Sequence, residues 1–151
     1  MMPSFPARLS AIVLACGLLA LPAHAVDTPS KTQAAPDLTA IRAKIKAKDF
    51  AGARDELFKL VNNHEHADVF NLLGFSLRKT GDYKNALTYY NKALELDAYH
   101  LGAHEYIGEL FVETNQIEKA KYHLEILVRL CPTGCEERED LEKAIAAAEK
   151  K

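Results

Sequence analysis

A short block of sequence returns three times at a fixed interval. Lys48-Asp49-Phe50-Ala51-Gly52-Ala53 aligns with Gly81-Asp82-Tyr83-Lys84-Asn85-Ala86 at an offset of 33. A further 34 residues on stands Asn115-Gln116-Ile117-Glu118-Lys119-Ala120. Gly74 and Gly108, each preceded by a large aliphatic residue, keep the 34-residue spacing, as do Tyr90 and Leu124. A period of this length fits one supersecondary unit and is too short for a domain, so several units must stack to bury a core. Within each unit the apolar residues recur at helical spacing on two segments of about 12 residues joined by a tight turn. The expected fold is all-α, a stack of helix pairs.

Composition agrees. Ala, Leu, Lys and Glu dominate, β-branched residues are sparse, aromatics make up 8% and Trp is absent, a balance that favours helix over sheet. Gly74 and Gly108 remove side chains where the two helices of a unit are expected to cross, with Ala86 and Ala120 at the complementary spot on the second helix. A stack needs a polar-faced end. The segment Glu136 to Lys150 supplies one, with Leu141, Ile145 and Ala148 as a narrow apolar stripe among charges. Thr133-x-x-Glu136 reads as a capping box at its start. Seven helices are expected in all.

The first 25 residues differ from the rest. They hold one charge, Arg8, then the apolar run Leu9 to Leu21, then Pro22-Ala23-His24-Ala25 with small residues before a cut after Ala25. That order reads as a signal peptide over 1–25. The apolar run is too short to span about 30 Å of hydrocarbon, so no membrane span is expected in the mature chain. Val13-Leu14-Ala15-Cys16 loosely resembles a lipobox, an alternative in which Cys16 would carry a lipid anchor. Residues 26–36 are polar, contain Pro and lack periodicity, and read as a flexible linker. Export would place the chain in the periplasm, with secretion as the alternative. It would also leave Cys131 and Cys135 as an even pair in an oxidising compartment, which points to a disulfide.

The charge balance of 19 basic against 21 acidic residues gives no basic field, so nucleic acid is not an expected partner. No phosphate loop, Gly-x-Ser-x-Gly or His-Glu-x-x-His occurs, and an enzyme or a cofactor is not expected.

The repeat resembles the tetratricopeptide repeat (TPR). In 67–100 the residues that carry the resemblance are Phe70, Leu73-Gly74, Leu77, Gly81, Ala86, Tyr90 and Ala93, with Ala98 where Pro is usual. In 101–134 they are His104, Ile107-Gly108, Phe111, Ala120, Leu124 and Pro132. In 35–66 only the second helix fits, through Ala53, Leu57 and Leu60. The resemblance implies a right-handed superhelix of about three repeats over 37–134, closed by a capping helix in 135–151. It also implies a concave groove lined by the first helix of each repeat. Carried over position by position, the groove residues are Arg42 and Lys46, then Asn71, Phe75, Arg78 and Lys79, then Glu105, Glu109 and Glu113. The groove is expected to be basic toward the N-terminus and acidic toward the C-terminus, with Phe75 exposed between. The function this implies is an exported module that binds a protein or peptide segment, with self-association through the open N-terminal end as a further option.

Cys131-Pro132-Thr133-Gly134-Cys135 leaves a second function class open. It reads as a structural disulfide pinning the last helix, as a redox-active dithiol, or as a copper-handling pair. His100 and His104, four apart on one helix, have the spacing of metal ligands, although His104 also occupies a packing position of the repeat. His123 stands alone.

Overall fold

The structure is a computed structural model that describes residues 36–150. The signal peptide assigned to 1–25, the Cys16 alternative and all but the last residue of the linker lie outside the described residues. Among the described residues seven α-helices follow one another: α1 Thr39–Lys46, α2 Phe50–Leu60, α3 Ala67–Lys79, α4 Tyr83–Leu96, α5 Leu101–Glu113, α6 Ile117–Leu130 and α7 Glu136–Ala148. No strand occurs among the described residues. The fold is the expected all-helical stack of helix pairs.

The repeated block is the turn inside each pair, and its chemistry is visible at the backbone. Lys48, Gly81 and Asn115 occupy equivalent positions and all have positive φ (61°, 88° and 58°). The residue after each returns its N–H five positions back: Asp49 to Lys44, Asp82 to Leu77 and Gln116 to Phe111. This is the Schellman closure of a helix, which requires a left-handed residue. The side chains of Asp49 and Asp82 then cap the following helix by accepting from the backbone N–H of Gly52 and Asn85. Gln116 makes no such cap. At α3 and α5 histidines take the N-cap: the Nδ1 of His66 accepts from Asp68 N–H, and that of His100 from Ala103 N–H.

One apolar core runs the length of the array, from Leu38 and Ile41 through Leu57, Leu73, Tyr90, Ile107 and Leu127 to Leu141 and Ile145. Each helix packs on its neighbours in sequence. In addition α3 packs on α5 and α5 on α7, whereas α2, α4 and α6 do not reach one another to the same extent. The contacts of α3 with α5 and of α5 with α7 put the odd helices on one side of the stack, the inner face.

Gly74 lies where the two helices of its pair meet. A Cβ there would stand 2.6 Å from Cδ1 of Tyr90, a fully buried ring. Gly108 performs the same service for a different neighbour. A Cβ at 108 would run into Leu141 on α7, not into the second helix of its own pair. The expectation for Gly108 is corrected on this point, because α7 packs on α5 as well as on α6. Gly74→Ala is expected to cost about 1–3 kcal/mol by overpacking a rigid ring. Gly108→Ala should cost less, since the branched end of Leu141 can change rotamer. Urea unfolding of the two variants measures the difference, and a Gly74→Ala midpoint equal to the parent's would contradict this account.

A second expectation fails at α7. Its N-cap is Cys135, with no side-chain cap bond, and Thr133 stays exposed in the turn. A disulfide joins Cys131 to Cys135 across a Cα separation of 6.0 Å, with Gly134 at φ 100° between them. The cross-link places Cys135 at the helix start, two residues beyond the Thr. Glu136, Glu137 and Glu139 fill the first turn of α7, where negative charge offsets the exposed N–H groups.

Candidate functional site

Arg42, Lys46, Asn71, Phe75, Arg78, Lys79, Glu105, Glu109 and Glu113 all fall on α1, α3 and α5, the odd helices. Their individual surroundings differ from the expectation of a solvated, charge-divided groove. The Arg78 side chain has no exposed surface. Its NH2 group pairs with Glu109, its NH1 group pairs with Glu113 at 2.9 Å, and its guanidinium lies over the Phe75 and Tyr106 rings at 5.4 and 5.6 Å. A planar, delocalised cation is suited to satisfying two carboxylates and two ring faces together. Arg78 is therefore a tie between α3 and α5, not a free basic group of the groove. Among the described residues its Nε and the Tyr90 hydroxyl are buried without hydrogen-bond partners.

Phe75 is half-buried rather than exposed. Its ring meets Phe50 edge-on at 5.9 Å and Tyr106 at 4.8 Å, and Lys79 Nζ lies 5.3 Å from its centroid. Asn71 is buried, and its Nδ2 occupies the space that a side chain at Gly102 would need. Arg42 pairs with Asp68 at 3.4 Å, and Asp68 also meets His100 Nε2 at 2.9 Å. Lys46 and Lys79 are exposed and make no ion pair among the described residues. The basic end of the inner face is thus reduced to these two lysines and the half-paired Arg42.

The acidic end is larger than the sequence indicated. Glu105 and Tyr106 on α5 and Glu136, Glu137 and Asp140 on α7 line a cavity of about 220 Å³. Glu105 is only 9% exposed. Burial, followed by the nearby Glu109, Asp140 and Glu137, pushes its carboxyl up to about 8. The α7 carboxylates were read as the solvated face of a cap. Only the return of α7 onto α5 brings them to Glu105. On the other side of α7, Leu124, Val128 and Ile145 line an open groove of about 570 Å³ bordered by Lys121, Glu125 and Arg129.

The histidines do not pair as their spacing suggested. His100 turns to Asp68 and to its own helix start, while His104 turns inward. His104 Nε2 lies 3.2 Å from the Ala98 carbonyl, and its Nδ1 lies 3.0 Å from Nδ1 of His123. A carbonyl only accepts, so His104 carries its proton on Nε2 and accepts at Nδ1 from His123 N–H. Nothing in the spacing of residues 104 and 123 signals this contact. Among the described residues no group of three or more His, Cys, Asp or Glu converges to hold a metal ion, and no helix is long and apolar enough to cross a membrane.

Comparison with known proteins bears on the central helix pair. The family model of the tetratricopeptide repeat matches residues 67–100, the segment of α3 and α4 with its closing turn. The chain is similar to that family there, over the unit in which the sequence pattern was most complete. No curated protein matches the chain.

Proposed function

We propose that the chain is an exported protein–protein interaction module that holds a protein or peptide segment against the inner face formed by α1, α3, α5 and α7. The tetratricopeptide match over α3 and α4 carries the reading. The inner face supports it with two lysines outside any ion pair among the described residues at one end, a cavity lined by four carboxyl groups at the other, and the half-buried rings of Phe75 and Tyr106 between. Export rests on the leader pattern of 1–25 and accords with an oxidised Cys131–Cys135 pair.

The test is affinity capture from envelope extract by residues 26–151. Lys46→Glu with Lys79→Glu should weaken capture several-fold, most strongly at low salt, because rim charges act on encounter rate. Lys59→Glu with Lys84→Glu, on the exposed surface of the even helices α2 and α4, should leave capture unchanged. If the outer pair disrupts capture and the inner pair does not, the partner uses the other face.

A further inference from the structure

We propose that the cavity between α5 and α7 seats the guanidinium of an arginine side chain of the bound segment. This rests on the reading of the inner face as a segment-binding surface and states what its C-terminal end recognises. Four carboxylates, those of Glu105, Glu136, Glu137 and Asp140, line one cavity beside the Tyr106 side chain. Glu105 is nine-tenths buried, and its carboxyl has no hydrogen bond or ion pair among the described residues. A carboxyl this deeply set is costly to ionise, and an arriving cation lowers that cost.

Among the described residues no cation serves. Arg78, on α3, is committed to Glu109 and Glu113. Arg138 pairs with Glu142. Lys143 reaches Asp140 at 3.0 Å, but that pair is exposed and readily exchanged. A bare metal ion does not fit, since among the described residues no three carboxylates converge on one point. The remaining cation class is organic, with donors spread over several ångströms to reach carboxylates on two helices, as a guanidinium does.

Proton balance follows from the groups around Glu105. On α5 these are Glu109 and Tyr106, on α7 Glu137 and Asp140, and on α3 Arg78. The acids outnumber the single arginine, and burial adds to their effect, so the free protein keeps a proton on Glu105 up to about pH 8. A cation placed against the carboxyl favours its ionised form. Seating it therefore converts the Glu105 carboxylic acid to a carboxylate paired with the guanidinium and releases one proton to solvent. The complex holds fewer protons than the free protein, so affinity rises with pH until Glu105 is already ionised.

The experiment is calorimetric titration of residues 26–151 with acetyl-Gly-Arg-Gly-Arg-Gly-amide and with the same peptide carrying citrulline for arginine. It is run at about pH 6.5 and about pH 8.5, either side of the free Glu105 titration, in buffers of different ionisation enthalpy. The arginine peptide should bind about tenfold or more tighter than the citrulline peptide. Its affinity should rise with pH, with proton release. Glu105→Gln should abolish both the pH dependence and the proton release. Glu137→Gln with Asp140→Asn, at partly exposed sites, should weaken arginine-peptide binding and gives a readout should Glu105→Gln fail to fold. Equal binding of the two peptides, or a pH dependence that survives Glu105→Gln, overturns the proposal. So does tighter binding of spermidine or calcium ion than of the arginine peptide, which would make the cavity a small-cation site. Capture from extract that persists in Glu105→Gln would remove the cavity from the mechanism while leaving the interaction module standing.

Discussion

Arg78→Ala is expected to lower the stability of the array by about 3–5 kcal/mol, the range for removing one partner of a buried ion pair. The substitution strips a side chain with no exposed surface from between two ring faces. It also leaves Glu109 and Glu113 unpaired on a helix that already carries Glu105. Glu109 and Glu113 are partly exposed, so water recovers some of the loss, which places the expected value toward the lower end. Arg78→Lys should rescue only in part, because an ammonium cannot engage two carboxylates in the plane of a guanidinium. The measurement is urea unfolding in a double-mutant cycle with Glu109→Gln and Glu113→Gln. The cost of Arg78→Ala should shrink in the Gln background, and a cost that stays the same there would show that packing, not charge, holds α3 to α5.

Acid should destabilise the protein through His123. Burial first, and His104 second, holds its folded value at about 4 against an ordinary 6.5. His104 is lowered as well, chiefly by burial. Between these values the unfolded chain binds more protons than the folded one, so stability is full above about 6.5 and is lost as pH falls toward 4. The loss amounts to about 3 kcal/mol if the imidazole alone accounts for it. Glu105 acts in the opposite sense. Its raised folded value means that its contribution is present in acid and fades as pH rises toward 8. His123→Gln isolates the first effect, since an amide N–H can still donate to His104. Unfolding at about pH 7 and about pH 4.5 should show the parent losing more stability on acidification than His123→Gln, the difference between the two being the His123 contribution, since Glu105 offsets it equally in both. Equal slopes would assign the acid sensitivity elsewhere.

The architecture was legible because it is written in backbone requirements that recur. Three turns demand a left-handed residue, two of them followed by an Asp cap, and Lys48, Gly81 and Asn115 sit 33 and 34 residues apart because of it. Gly74 was legible for the same reason, as a place where only hydrogen fits. The site was less so. Register assigned Arg78 and Phe75 to the correct face of α3, but their burial depends on how closely α5 approaches and on which of its side chains face back. Glu109 and Glu113, 31 and 35 residues further on, decide that. The acidic cavity was hidden for a similar reason. Glu105 is ordinary on α5 and Glu137 is ordinary on α7, and only the turn at the Cys131–Cys135 disulfide brings them together. Sequence spacing reports neighbours on one helix and is silent about neighbours on another, which is also why His123 looked solitary.

The charged contacts made by α3 join different pairs, whereas α1 is also tied within its own pair, by Lys44 to Glu56 of α2 at 3.4 Å. Arg42 of α1 reaches Asp68 of α3, Asp68 reaches His100 at the start of α5, and Arg78 of α3 reaches Glu109 and Glu113 of α5. In a one-dimensional array the free energy of a unit and the coupling between units are separate quantities, and cooperativity depends on the second. Here polar groups on the inner face add to that coupling, and α3 carries both sets of them. Opening α1 severs the exposed Arg42–Asp68 and Lys44–Glu56 links, whereas opening α3 severs links to the pairs on both sides. Fraying should therefore enter from α1 and stop at α3, so that amide exchange is slowest at the centre of the array. A ligand that bridges the odd helices would act on the same coupling, and would be felt as a sharper unfolding transition as well as a higher one.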